Sequence, residues 1–152
     1  MENRIQTDRI GAAFDEILRE FPERRRELHE RVGRAVQREL QRQIAASGIN
    51  DSSGRVRRWQ VAHVGSGGGY AAVRPEKGKT GADSPGAITN YLEGGHRIAS
   101  PRGGKNYRPR LRVSYVSGYH FYVNTSMRAE SIAIGEAEAW ADEIARELEA
   151  SL

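Results

Sequence analysis

Cysteine is absent from this 152-residue chain, which excludes a disulfide framework and any thiolate metal site. That absence fits a protein made and kept in a reducing cytoplasm. No apolar run approaches the 18 or so residues that a membrane-crossing helix needs. The opening stretch, MENRIQTDRIG, lacks the apolar core of a secretory signal. A soluble, intracellular product is the expectation. Carboxylates are scarce in the middle of the chain, where residues 47–126 hold only Asp51, Glu76, Asp83 and Glu93. Paired acid–base work therefore has few candidates. The histidines stand at 29, 63, 96 and 120, and none forms a His-x-x-x-His or similar pair that would fix metal ligands on one element. No Gly-x-Ser-x-Gly elbow is present for a serine nucleophile. Glu76-Lys77-Gly78-Lys79-Thr80-Gly81 contains Gly-Lys-Thr, but a phosphate-binding loop needs a glycine five residues before Gly78, where Val73 stands. The expectation is no catalytic residue, no metal and no cofactor.

Basic charge, by contrast, is plentiful and unevenly spread. Residues 1–46 carry 10 basic and 9 acidic side chains, residues 47–126 carry 12 and 4, and residues 127–152 carry 2 and 7. The length suits one domain, read as a helical segment 1–46, a basic strand-and-loop region 47–126 and an acidic helix 127–152. Arg55, Arg57 and Arg58 cluster before Trp59, and Arg102, Lys105, Arg108, Arg110 and Arg112 form a second group. Such patches suit phosphate backbones, though arginines on wet strand faces also solubilise or meet a partner's carboxylates. Trp59 and Trp140 are read as core anchors.

Periodicity places the elements. Ile10, Phe14, Ile17, Leu18 and Phe21 share one helical face; Pro22 breaks that helix and opens a longer one to Ala46, with Leu28, Val32, Val36, Leu40 and Ile44 as its apolar stripe and Gly48 past its end. VRRWQVAHV (56–64) and YAAVR read as partner strands around the SGGG turn. Two Pro/Gly-rich loops follow, at 75–86 and 99–109. Leu111, Val113 and Tyr115 alternate with polar residues as a strand, and Ser117-Gly118 closes a hairpin with YHFYV, or that stretch is an extended lead into the last helix. Ala133, Ala137, Trp140, Ala141, Ile144 and Leu148 line the final helix, their alanines suiting close packing on a sheet. The fold class is α+β, a mainly antiparallel sheet with N- and C-terminal helices on one side and long flexible loops.

One segment, AITNYLEGGHRIASP, draws these threads together. Gly94 and Gly95 suit a sharp exit from the Ala87–Glu93 element, with Glu93 and Arg97 at the base of the loop as an internal or interface pair. Its Tyr91, Leu92, Glu93, Gly95 and Arg97 resemble the Tyr-hydrophobic-Glu-x-Gly-x-Arg segment of the phage tail-completion and head–tail joining family, minor virion proteins of long-tailed phages. The order of elements over most of residues 22–149 is similar too. The resemblance implies a non-enzymatic protomer of a ring, a hexamer, in the phage neck or at the head-proximal end of the tail tube. Its partners would be copies of itself, the head–tail connector, the tail tube or terminator proteins, and double-stranded DNA passing non-specifically; no membrane is involved. Assembly would take place in the host cytoplasm and the product would reside in the virion. The motif residues would then form a loop or subunit interface, and Lys77, Lys79, Arg102, Lys105 and Arg108 would lie on loops facing the channel or a partner. A ring with a head-to-tail interface needs two complementary faces, which the basic middle and acidic tail could supply. Two other readings compete: a stand-alone nucleic-acid-binding module using the basic middle, and more remotely a metal-dependent hydrolase built on Glu93 and His96.

Overall fold

Five apolar residues spaced four apart set the central helix. The computed structural model describes residues 3–6, 21–98 and 114–151. Within it, helix α1 spans Pro22–Ala46 as the stripe requires, and Leu28, Val32, Val36, Leu40 and Ile44 are all buried. Pro22 occupies the first turn, where its missing N–H costs nothing. Gly48, at φ +83°, follows the Ser47 C-cap, as the sequence led us to expect. The preceding apolar series Ile10, Phe14, Ile17 and Leu18 lies outside the described residues.

After α1 the chain departs from the expected strand. Residues Arg55–Trp59 form a short helix, α2, and only Gln60–Val64 form a strand, β2. The physical reason is Asp51. Its carboxylate accepts the backbone N–H groups of Val56 (3.0 Å) and Arg57 (3.2 Å), satisfying the first turn of α2, and also pairs with the Arg57 guanidinium at 3.2 Å. Burial works to raise the Asp51 pKa, but these hydrogen bonds and the Arg57 charge outweigh it and hold the carboxyl below the ordinary aspartate range. A carboxyl depressed in the folded state stabilises fully above its unfolded pKa of about 3.9 and loses that contribution as pH falls through the folded value. Asp51→Ala should therefore cost about 1 kcal/mol at pH 7. The difference from wild type should shrink as pH falls below about 4, measured by urea melts across pH 2.5–7.

Strand β3, Ala71–Pro75, returns antiparallel to β2 with Ala62 opposite Val73 and Val64 opposite Ala71. The turn closes through Gly65 N–H to the Tyr70 carbonyl (3.0 Å), as the glycine run suggested. A third strand, β1 (Ile5–Gln6), adds to the far edge of β3, giving the order β1-β3-β2. This sheet lies close on α1. A Cβ on Gly33 would stand 3.3 Å from the Ala71 Cβ and 3.4 Å from that of Ala62, so glycine there lets helix and sheet backbones approach.

Helix α3, Pro85–Gly94, starts at Ser84, whose hydroxyl accepts the Ala87 N–H at 3.2 Å. It leads into strand β4, Gly95–Arg97, which pairs antiparallel with β5, Tyr115–Ser117, in a separate two-stranded sheet. Leu111 and Val113 of the expected strand, and the 99–109 loop, lie outside the described residues. The Ser117-Gly118 hairpin does not form. The other reading of that stretch, a lead into the last helix, holds for Tyr119 and His120 alone: Phe121 already opens helix α4, Phe121–Ser151, six residues before the expected start at 127.

Helix α4 packs on α1 as well as reaching β1, rather than lying on a sheet as its alanines suggested. Ala129, Ala133, Ala137 and Trp140 are buried, whereas Ala141 is exposed and the Leu148 side chain lies outside the description. Small side chains let the two helices close up, and ion pairs run along their edge. Arg24 meets Glu147 at 3.2 Å, Arg31 meets Glu143 in a bidentate pair (3.0 Å for Nη2) and Glu136 at 3.6 Å, and Arg128 meets Glu39 at 3.5 Å. The Arg31 hydrogen bonds hold the Glu143 carboxyl below its ordinary range despite opposing desolvation. The fold class is the expected α+β mix of helices with small antiparallel sheets.

Candidate functional site at the Glu93 corner

The motif segment sits where α3 ends, and it is built from the backbone outward. A helix leaves its last carbonyls without intrahelical donors. Here the chain entering α4 supplies them: Tyr119 N–H donates to the Leu92 carbonyl at 2.8 Å, His120 N–H to that of Glu93 at 3.2 Å, and the Tyr115 hydroxyl to that of Gly94 at 2.9 Å. The debt is returned by the Glu93 side chain. Its two carboxylate oxygens accept the N–H groups of Tyr122 (2.9 Å) and Val123 (3.0 Å), donors that the first turn of α4 leaves without intrahelical acceptors. The C-terminus of one helix and the N-terminus of the next thus satisfy each other.

Two glycines make the approach close enough. Gly95 turns at φ +76°, the sharp exit that the sequence suggested, and a Cβ there would meet the Val116 carbonyl oxygen at 2.3 Å. A Cβ on Gly118 would stand 2.0 Å from the Glu93 carbonyl oxygen.

Electrostatics explains why a buried acid is tolerated. Glu93 is only 6% exposed, and burying an ionised carboxylate without partners is costly. The two N–H donors and the positive end of the 31-residue helix α4 provide the compensating charge. The corner then connects inward. The Tyr122 hydroxyl donates to Gln60 Oε1 at 2.6 Å, and Gln60 Nε2 donates to the Val56 carbonyl at 2.9 Å and to Thr89 Oγ1 at 3.2 Å. Gln60 and Thr89 are fully buried, so this chain of bonds locks α2, β2, α3 and α4 together from inside. Burial, and then the Glu93 charge, push the Tyr122 phenol far above its ordinary range, so it serves as a neutral donor. Tyr122→Phe strands the Gln60 oxygen, and a loss of about 1–2 kcal/mol is expected in a denaturant melt.

The remaining motif residues divide by exposure. Leu92 packs against the core, Tyr91 is 46% exposed, His96 lies against the Tyr91 ring at 5.3 Å between centroids, and Arg97 is exposed on β4. The Glu93 carboxylate faces α4 and not Arg97, so of the internal or interface pair expected of them the internal one is replaced by a helix cap. The arrangement offers shape and an outward-facing aromatic and cationic edge. Both Glu93 carboxylate oxygens are engaged by backbone donors of α4. Among the described residues no group of three His, Asp or Glu side chains is placed to hold a metal ion, and no helix is long and apolar enough to cross a membrane.

Lys77 and Lys79 lie exposed in the loop after β3, beside a cleft that Arg74 and Asn90 also line. Arg102, Lys105 and Arg108 lie outside the described residues. Gln60, Thr89 and Tyr122 were not singled out from the sequence, although a glutamine inside the apolar run of β2 was a usable signal. So was Glu93 itself: an acid in the last turn of a helix opposes that helix's own dipole and calls for an external reason. Compared with protein-family models, with curated proteins and with solved structures, the chain matches none.

Proposed function

We propose that this chain is a structural assembly protein of a long-tailed phage or prophage particle. It would form a ring at the head–tail interface or the head-proximal end of the tail, completing the tail and joining it to the connector around the DNA channel. The observation that carries this reading is the use of Glu93. The acidic residue of the resembled motif acts as a buried tie between two helices, which supports a motif that serves architecture and not chemistry. Tyr91, His96 and Arg97 remain outside, available to a neighbouring subunit.

Charge supports the same reading with one adjustment. Glu136, Glu143 and Glu147 of the acidic helix are engaged by arginines of α1, so the acidic face available to a neighbour is narrower than composition suggests. Duplex DNA carries one charge per ~1.7 Å, so a ring ~35 Å thick surrounds on the order of twenty phosphates. Six copies of the basic middle would overmatch that and grip DNA that must slide. Most of its cations therefore serve protein contacts.

Electron microscopy of concentrated protein, together with duplex-DNA titration at low and moderate salt, tests the proposal. Ring-shaped particles with weak DNA affinity support it. A monomer that binds duplex DNA tightly and releases it steeply with salt instead identifies a stand-alone nucleic-acid-binding module.

A further inference from the structure

Helix α4 carries an apolar line that the other described residues do not cover. Val123, Met127 and Ile134 recur at i, i+4 and i+11, which places them on one face spanning ~16 Å of helix. They are 52%, 73% and 44% exposed. This face differs from the buried one formed by Ala129, Ala133, Ala137 and Trp140. At its N-terminal end the line continues into exposed Tyr119, whose backbone is tied to Leu92 of the motif corner. Large exposed apolar side chains in such a row mark interaction surfaces.

The flanking charges indicate what covers it. Glu130 and Glu138 lie on the same side of the helix, are exposed, and form no ion pair among the described residues. Two copies meeting line to line about a two-fold axis would bring these glutamates together, a like-charge contact that costs binding energy. The complementary surface lies elsewhere on the same chain. Arg74, Lys77 and Lys79, outnumbering the one carboxylate Glu76, line a cleft of about 300 Å³ whose walls include the apolar Pro75 and Gly86. Asn3 lines this cleft too, and its buried amide nitrogen finds no acceptor among the described residues. Apolar walls and a rim of net positive charge match an apolar row edged by carboxylates.

We propose that the Val123–Met127–Ile134 line docks a second copy of this chain, which presents its Arg74–Lys79 cleft. This rests on the ring reading above and deepens it: two different faces of one protomer meet head to tail, the arrangement whose rotation closes a ring.

The test uses two full-length variants, Met127→Asp/Ile134→Asp and Lys77→Glu/Lys79→Glu, all at exposed positions. Each alone should stay monomeric where wild type assembles, with apparent affinity weakened at least ~10-fold. Mixed in equal amounts they should form a discrete 1:1 pair, since each retains the face that the other lacks. Should either charge variant fail to fold, Met127→Gln and Lys79→Ala repeat the comparison with a smaller expected shift. A mixture that stays monomeric, or either variant assembling as wild type does, overturns the contact. So does a lysine variant that loses duplex-DNA binding while assembling normally, which would turn the cleft toward DNA. Rings that persist in both variants sink this contact and leave the ring reading standing. Wild type that forms only open chains through the contact sinks the ring reading and leaves the contact standing. Wild type that stays monomeric at every concentration sinks both.

Discussion

Glu93→Ala should lower the thermal midpoint by about 10 °C. The substitution removes both acceptors from the first turn of α4, leaving Tyr122 and Val123 N–H groups without partners in a buried corner. Hydrogen bonds to a charged group contribute about 1.5–3 kcal/mol each and an ordinary cap about 1, so a total of about 3 kcal/mol is expected once relaxation of the exposed Val123 side is allowed for. For a chain of this size each kcal/mol shifts the midpoint by about 2–4 °C. Glu93→Gln keeps one oxygen and loses the charge, so about half of the effect should remain. The pair of variants also separates architecture from catalysis. An acid held for chemistry is usually replaceable by its amide with little loss of stability, whereas a helix cap is not. Thermal melts by circular dichroism at pH 7 read the difference directly.

Gly118→Ala should be more damaging still. The added carbon would sit 2.0 Å from the Glu93 carbonyl oxygen and 2.7 Å from the Gly94 carbonyl carbon, both backbone atoms with nothing flexible to yield. Relief requires the β5–α4 lead to peel away from α3, and with it go the Tyr119 and His120 hydrogen bonds and then the Glu93 cap. A loss of about 4 kcal/mol or more, at the upper end for single substitutions, is expected, seen as a fall in soluble yield and an early melt. Gly135→Ala provides the control. It lies inside α4 with nothing within 4 Å of the added carbon, and there the same substitution should stabilise by about 0.5–1 kcal/mol. Opposite signs for one chemical change on either side of the helix start would locate the constraint at the corner. Combining Gly118→Ala with Glu93→Ala should cost less than the sum, because the first already undoes what the second removes.

What the sequence made legible was what spacing or a single residue's conformation dictates. The α1 stripe, its end at Gly48, the glycine turn between β2 and β3, and the final helix each follow from spacing or from a residue that fits one conformation. What it concealed depends on side chains that bind backbone groups off their own element, near or far along the chain. Val56–Trp59 has strand-forming residues, yet the Asp51 carboxylate holds it as a helical turn; β propensity yields to such context. Tyr119–Val123 looks like a strand for the same reason, and is turned into a helix start by an acid 29 residues earlier. The alanines of α4 announced a close neighbour without naming it, since small side chains suit a helix as well as a sheet. At the motif, the glycine turn was legible in the residue itself. The role of Glu93 was not, because its partners are backbone groups that no side-chain pattern displays.

Whether this chain works by assembling is tested most directly by its mass in light scattering. A concentration series should be measured with and without short duplex DNA. The account predicts a shift from protomer toward one closed species of about six copies, unchanged by DNA. A protomer that never associates, and whose mass rises only on binding DNA that salt then releases, would contradict it.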